Sequence, residues 1–289
     1  MSSNTPLTDS INNLTTYANS VTGASDTNLS DAVATLASGY GQGSGGVDIN
    51  ALNDKTISGH VVVTGTSLRA LLFAGCDLIT SVSCPNAING YGVRQGGTNR
   101  NGSQFEDCTS LQSAEFPVMT NPTDSMFMRC AALTHVYFPV ATSVPTLLFN
   151  LCTSLETVVM PSVDGMVYTS AFQDCTDLKS VDLYKPNFGR TLIFNRCSSL
   201  DTLVVRNTSA SALGNVNVFD GTPFASGGTG GTLYVPSDLI STYQSKANWS
   251  TILGYTNNQI KSIESTHTDP NAPIDLTLYY ADGTAIASS

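Results

Sequence analysis

Charged side chains are scarce in this chain: Asp, Glu, Lys and Arg make up 12% of its 289 residues, about half the share of an ordinary soluble domain. Basic residues are the fewer, 12 against 22 acidic ones, for a net charge of −10. That balance argues against a nucleic-acid partner, whose phosphates are met by clustered Lys and Arg. No stretch approaches the roughly 18 apolar residues of a membrane-spanning helix, so no membrane insertion is expected. The opening residues, Met1-Ser-Ser-Asn-Thr-Pro-Leu7, carry neither the basic region nor the apolar run of a secretory signal. Histidine is limited to His60, His135 and His267, and no Cys-x-x-Cys pair occurs, so neither a metal nor a cofactor is expected. Gly-x-Ser-x-Gly, His-Glu-x-x-His and a phosphate loop are missing too. No pair of carboxylates is singled out by spacing, as a glycosidase would require. These absences point away from an enzyme. Ser, Thr, Asn and Gly take the place of charge, a composition suited to exposure outside a cell.

What is present is a repeat. A phenylalanine stands three residues before a cysteine at Phe73/Cys76, Phe105/Cys108, Phe127/Cys130, Phe149/Cys152, Phe172/Cys175 and Phe194/Cys197, and the last five cysteines are 22, 22, 23 and 22 residues apart. A period of about 20–29 residues marks a solenoid with one coil per repeat. Counting from each cysteine, apolar residues recur at three (Leu111, Leu133, Leu155), six (Ala114, Val136, Val158) and eight (Phe116, Phe138, Met160). The alternation at six and eight is that of a strand, and Pro85, Pro117, Pro139 and Pro161 then stop it, because proline has no N–H to give to a ladder. Strands of successive coils should pair in parallel, with the phenylalanines and cysteines in buried rows and the thiols reduced. Each coil then needs its neighbours to fold.

The pattern resembles the BspA-type leucine-rich repeat, whose coil reads roughly Ala-Phe-x-x-Cys-x-x-Leu-x-x-Ile/Val-x-Leu/Phe-Pro. The matching runs are Phe105–Pro117, Phe127–Pro139, Phe149–Pro161 and Phe172–Leu183. The resemblance covers about residues 67–264 and implies a leucine-rich-repeat solenoid, with short parallel strands and irregular or helical return segments. Two stretches depart from it. Between the first two coils the cysteine spacing is 32, and the extra Gly-rich stretch Asn89–Ser103 must loop out. Later, Phe219 follows Phe194 by 25 residues, with Thr222 where a cysteine is expected.

The expected organisation is a helical stem and Gly-rich linker at 1–46, an N-terminal cap strand at 47–66, the solenoid at 67–236, a C-terminal cap at 237–264, and a linker with a hairpin-like tail at 265–289. Thr232–Pro236 reads as the last strand, followed by a helix capped by Ser237. In the stem, Leu7, Ile11, Leu14, Ala18 and Val21 step by 4, 3, 4 and 3, a heptad seam. A single helix of that length is marginal in water. The seam therefore either drives self-association, with a trimer as the first expectation, or packs on the solenoid edge. Residues 11–40 resemble the start of tail-associated and minor structural proteins of double-stranded DNA phages, which implies attachment to other virion proteins.

Five and seven residues after each cysteine, the side chains should point outward from the strands. Glu115, His135, Tyr137, Thr157 and Asp182 are the candidate contacts on that face, with Tyr137 the aromatic anchor. Tyr91, Arg94 and Arg100 of the insertion are a second candidate. An ordinary solvated sheet face is the plain alternative. The expected function is a phage virion protein of the tail, baseplate or fibre, which displays its solenoid for non-covalent attachment to a host-surface protein or glycan. The alternatives are a bacterial cell-surface adhesin and a capsid or tail decoration protein that binds no receptor.

Overall fold

The structure, a computed structural model, describes residues 54–91, 93–95, 98–100, 102–263, 278–279 and 285–286. The expected stem, with Leu7, Ile11, Leu14, Ala18 and Val21, lies outside the described residues.

The chain winds into a parallel β-solenoid. Strand β1 (Gly59–Val62) precedes β2 (Ser67–Arg69) and β3 (Ile79–Ser83). The insertion supplies β4 (Asn89–Tyr91), β5 (Val93–Gln95) and β6 (Thr98–Arg100). The coils then contribute β7 (Ser113–Glu115), β8 (His135–Tyr137), β9 (Thr157–Met160), β10 (Ser180–Leu183), β11 (Thr202–Val205) and β12 (Thr232–Pro236). Helices α1 (Ile240–Ser245) and α2 (Trp249–Leu253) lead into β13 (Gln259–Ile263). Near the C-terminus, β14 (Leu278–Tyr279) and β15 (Ala285–Ile286) pair antiparallel.

Two features of the strand wall differ from the sequence reading. Thr232–Pro236 is not the last strand, because β13 pairs in parallel beyond it from Thr232↔Gln259 to Pro236↔Ile263. The wall is also divided: β1-β3-β7-β8 form one sheet and β9-β10-β11-β12-β13 another, so no ladder joins β8 to β9. At the same seam the phenylalanine row is at its widest, with Phe127 and Phe149 centroids 5.9 Å apart. The other row spacings run from 5.1 Å (Phe73–Phe105) to 5.6 Å (Phe194–Phe219). A second row, Phe116 on Phe138 at 4.9 Å, ends here too, because the next coil carries Met160 at that position.

The return segments of the six Phe-x-x-Cys coils are turns, while the one leading into β12 holds a 3₁₀ helix, Val216–Phe219; the turn geometry explains the Phe-x-x-Cys spacing. In each coil the cysteine N–H closes a turn on the phenylalanine carbonyl, as in Cys130 N–H to Phe127 O at 3.1 Å. The same carbonyl accepts the thiol of the following coil. Cys108 Sγ donates to Phe73 O at 3.1 Å, Cys130 to Phe105 at 3.0 Å, Cys152 to Phe127 at 3.1 Å, Cys175 to Phe149 at 3.0 Å and Cys197 to Phe172 at 2.9 Å. Only a small side chain with a donor hydrogen fits this buried position. Backbone N–H groups complete the link in the opposite direction: Phe127 N donates to Leu148 O at 3.0 Å and Arg129 N to Asn150 O at 2.8 Å. Aiming these groups at the next coil requires left-handed backbone one and five residues before the cysteine. Asp107, Arg129, Leu151, Asp174 and Arg196 hold φ of 60–64°, and Ser125, Leu147, Ser170 and Leu192 hold 55–57°. Each such residue costs about 1–2 kcal/mol against right-handed backbone, which the two-way bonding over-determines.

The row of residues directly before the cysteines is tied laterally as well. Arg129 grips Asp107 with Nε at 2.5 Å and Nη2 at 2.8 Å, and it also reaches Glu106 at 2.5 Å. Arg196 grips Asp174 in the same two-pronged way. These hydrogen bonds hold the Asp107 and Asp174 carboxyls below their ordinary range.

The insertion does leave the coil, as expected, but it is ordered into strands. β4 pairs in parallel with β2, and β5 with β6 forms a hairpin in the register Val93↔Arg100 to Gln95↔Thr98. The chain rejoins the stack at Gly102, where a Cβ would lie 1.7 Å from Asp124 O, so only glycine closes that bridge.

The far end is capped by aromatics. Trp249 packs on Phe188, Phe219 and Tyr243, while its Nε1–H donates to Ser211 O and Ser211 N–H donates to the Tyr243 hydroxyl, both at 2.9 Å. Ser237 does not cap the helix: it begins a short 3₁₀ turn, Ser237–Leu239, and makes no capping bond. The thiol row stops at Thr222, whose hydroxyl turns back to Phe219 O of its own coil at 2.8 Å.

Two outcomes test this packing. Phe127→Ala removes a ring held between two others and is expected to cost about 3–5 kcal/mol in urea unfolding; a loss below 1 kcal/mol would contradict the stacked core. Burial pushes Cys84 and Cys108 up to about 12 from 9, and raises Cys130, Cys152 and Cys175 as well. Because the unfolded thiols ionise first, stability is expected to hold below about pH 9. Between there and pH 12 it falls, by about 1.4 kcal/mol per pH unit for each such thiol. Urea midpoints measured from pH 7 to 11 check this, together with slow native-state alkylation at pH 8.

Candidate functional site: the outward strand face

The strand wall presents two outward rows. Five residues after each cysteine stand Ser81, Ser113, His135, Thr157, Ser180 and Thr202; seven after stand Ser83, Glu115, Tyr137, Val159, Asp182 and Val204. Register extends the rows to His60 and Val62 at one end and to Thr232 and Tyr234 at the other. The inner positions between them hold the core: Val82, Ala114, Val158, Val181 and Leu203 are buried.

The two ends of this face differ. Toward the C-terminus the protein covers it with its own side chains. Val204, expected to face solvent, is buried with Tyr234 and Ile263 in a small separate cluster. Asp182 is gripped by Arg206, with Nε at 3.1 Å and Nη2 at 2.7 Å, and the side chains are only 12% and 18% exposed. Lys179 pairs with Glu156 at 2.9 Å beside them.

Toward the N-terminus the face is open. Glu115 and Tyr137 are in-register neighbours on β7 and β8, as are Ser113 and His135. Glu115, His135 and Tyr137 are all exposed, Tyr137 at 55%. Thr134 Oγ1 lies 2.8 Å from His135 Nδ1. Beyond β7, His60 Nδ1 and Ser81 Oγ are 2.7 Å apart. Burial holds the His60 pKa below its ordinary value, and the Glu115 charge opposes that shift.

The structure therefore brings Glu115, His135 and Tyr137 together. Thr157 is exposed across the seam on β9, where its hydroxyl accepts from Ser180 Oγ at 3.2 Å. Asp182 is engaged by Arg206. Tyr91, Arg94 and Arg100 belong to β4, β5 and β6, in two-stranded sheets separate from the strand wall. Three contributors escape a reading of strand positions alone. Val118 and Val140 are exposed at the same position of adjacent coils, just past their prolines, and the Arg206 clamp occupies a site where four coils carry proline. Extending the coil alignment two residues beyond the strand exposes all three. Among the described residues, no group of three or more His, Cys, Asp or Glu could hold a metal ion, and no helix is long and apolar enough to cross a membrane.

Stacked coils with a parallel strand wall and an apolar row per coil form a parallel β-solenoid. Residues 66–201 of it match the BspA type leucine rich repeat region in six copies. Among solved structures, the chain is similar to a leucine-rich repeat protein of T. pallidum, at 25% identity over 56% of this chain and 75% of that one, with a TM-score of 0.43. A leucine-rich repeat protein of Bacteroides ovatus matches at 18% identity over 71% of this chain, with a TM-score of 0.39; the match spans 42% of that protein's length. A leucine rich cell surface protein of Faecalibacterium prausnitzii matches at 13% identity over 54% of this chain and 62% of that one, with a TM-score of 0.29. No curated protein matches the chain.

Arg206→Ala tests the clamp. It leaves the Asp182 carboxylate largely buried without a partner, and a loss of about 2–4 kcal/mol is expected in chemical denaturation. Replacing both residues together, Asp182→Asn with Arg206→Ala, should recover part of the loss.

Proposed function

We propose that this protein is a non-enzymatic contact module that attaches to a macromolecular surface through the open, N-terminal half of its strand face. One observation carries the reading. Tyr137 lies more than half exposed on β8, in register with Glu115 on β7 and two residues from His135 on its own strand. A ring fixed by the backbone around it loses little freedom on binding, which is why tyrosine so often anchors contacts. The exposed Val118 and Val140 add apolar area at the strand ends of the same two coils. Repeat solenoids generally use extended surfaces of this kind for binding.

The setting proposed is a phage virion, with the solenoid displayed from the tail, baseplate or fibre toward a host-surface protein or glycan. Residues 11–40 support it through their likeness to tail-associated proteins, and the heptad seam from Leu7 to Val21 supports several copies acting together. Multiple copies turn a weak single contact into firm attachment. Display on a bacterial cell surface is the second setting, favoured by the low-charge surface composition.

Fluorescent full-length protein is expected to bind cells of a susceptible bacterial panel saturably. Tyr137→Ala should weaken that binding at least about tenfold, a loss of roughly 1.4 kcal/mol, whereas Lys246→Ala in the C-terminal cap should not change it. Equal binding by wild type and Tyr137→Ala, or no binding to any member of the panel, would refute the proposal. Immunogold labelling of virions and of intact cells separates the two settings.

A further inference from the structure

We propose that Glu115 and Tyr137 form a subsite for one guanidinium group, so that the partner is an arginine-bearing protein segment; the inference rests on the contact role of the strand face.

The solenoid contains its own precedent for this interaction. Asp182 stands seven residues after Cys175, and its carboxylate is held by Arg206, nine residues after the next cysteine, Cys197. Glu115 occupies the equivalent place, seven residues after Cys108, but nine residues after the next cysteine stands Pro139. The acid is repeated and the arginine is not. Among the described residues Glu115 makes no ion pair, and it remains exposed where the Asp182 side chain is largely buried. A guanidinium from outside can therefore take the position that Arg206 takes three coils further on.

The neighbour in register with Glu115 adds specificity. Tyr137 lies on the adjacent strand, about 4.8 Å away. A planar guanidinium can stack on the ring while its N–H groups meet the carboxylate, a combination that a compact ammonium serves less well. Val118 and Val140, exposed at the ends of the same two coils, offer apolar cover for the arginine's methylene stem. The net charge of −10 draws a cationic segment inward from a distance. A neutral glycan gains from the ring but leaves both the carboxylate and the long-range field unused, so the observations favour arginine.

The test uses the full-length chain and a fluorescein-labelled octapeptide of alternating arginine and serine, followed by anisotropy at low and high salt. The same peptide with citrulline in place of arginine keeps the shape and removes the charge. The arginine peptide is expected to bind, more weakly at high salt, and the citrulline peptide is not. Glu115→Gln and Tyr137→Ala should each weaken binding about tenfold. Pro139→Arg should abolish it, because it supplies the missing guanidinium from within. Asp177→Asn, which removes another exposed carboxylate, should leave binding within about twofold. No binding of the arginine peptide, equal binding of the citrulline peptide, or equal losses in Glu115→Gln and Asp177→Asn would each overturn the subsite. Cell attachment lost in Tyr137→Ala but kept in both Glu115→Gln and Pro139→Arg would leave the strand face as the contact surface and remove the guanidinium subsite alone. Attachment blocked by a neutral oligosaccharide and untouched by the arginine peptide would do the same.

Discussion

The carbonyls of Phe73, Phe105, Phe127, Phe149 and Phe172 each accept two hydrogens, one from the cysteine N–H of the same coil and one from the cysteine thiol of the next. The first bond closes a turn and the second joins two turns, so a single oxygen defines both the coil and the stack. The left-handed residues before each cysteine, the position of the phenylalanine ring and the reduced state of the thiol follow from serving that oxygen. Burial keeps the thiols of Cys108, Cys130, Cys152 and Cys175 protonated, and therefore donors, throughout the neutral range. Phenylalanine rings on one side and leucine side chains on the other then fill the space that the bonded turns enclose, each ring contributing about 1.5–3 kcal/mol once covered.

This arrangement does not depend on an unbroken strand wall. The return segments stay bonded from coil to coil, so a gap between β8 and β9 is tolerated. The gap falls beside the most open part of the outward face. At the other end of the wall, the Asp182–Arg206 clamp and the cluster of Val204, Tyr234 and Ile263 tie outward side chains to one another. One wall thus carries a half that is closed by its own contacts and a half that leaves an aromatic ring and a carboxylate to solvent. The proposed attachment role draws on that contrast more than on the fold itself.

Much of the fold could be read from the sequence because the repeat unit records its own contacts. Phe-x-x-Cys marks the turn, and the alternation at six and eight marks the strand. Elements that lack these marks were harder to see. Gln259–Ile263 has no Phe-x-x-Cys before it, so β13 was hidden behind Thr232–Pro236. The seam between β8 and β9 falls where Phe138 gives way to Met160, and both residues satisfy the same pattern. The strands of the insertion were masked by glycines that usually signal a loop. At the candidate site, Glu115, His135 and Tyr137 were marked out by strand position. The reduced availability of Asp182 follows from Arg206, which departs from the proline found at that position in four coils. The burial of Val204 arises from Tyr234 and Ile263, distant in sequence, and no local pattern carries it.

Thr222 gives the array a chemical terminus. A coil with a cysteine at this position reaches back to its predecessor, whereas Thr222 satisfies its own turn and asks nothing of the coil before it. Copying any interior unit therefore yields a newcomer with a donor for the unit behind and an acceptor for the unit ahead. The tandem can lengthen or shorten through unequal recombination without re-engineering its ends, and its reach becomes a quantity that evolution adjusts in steps of one turn.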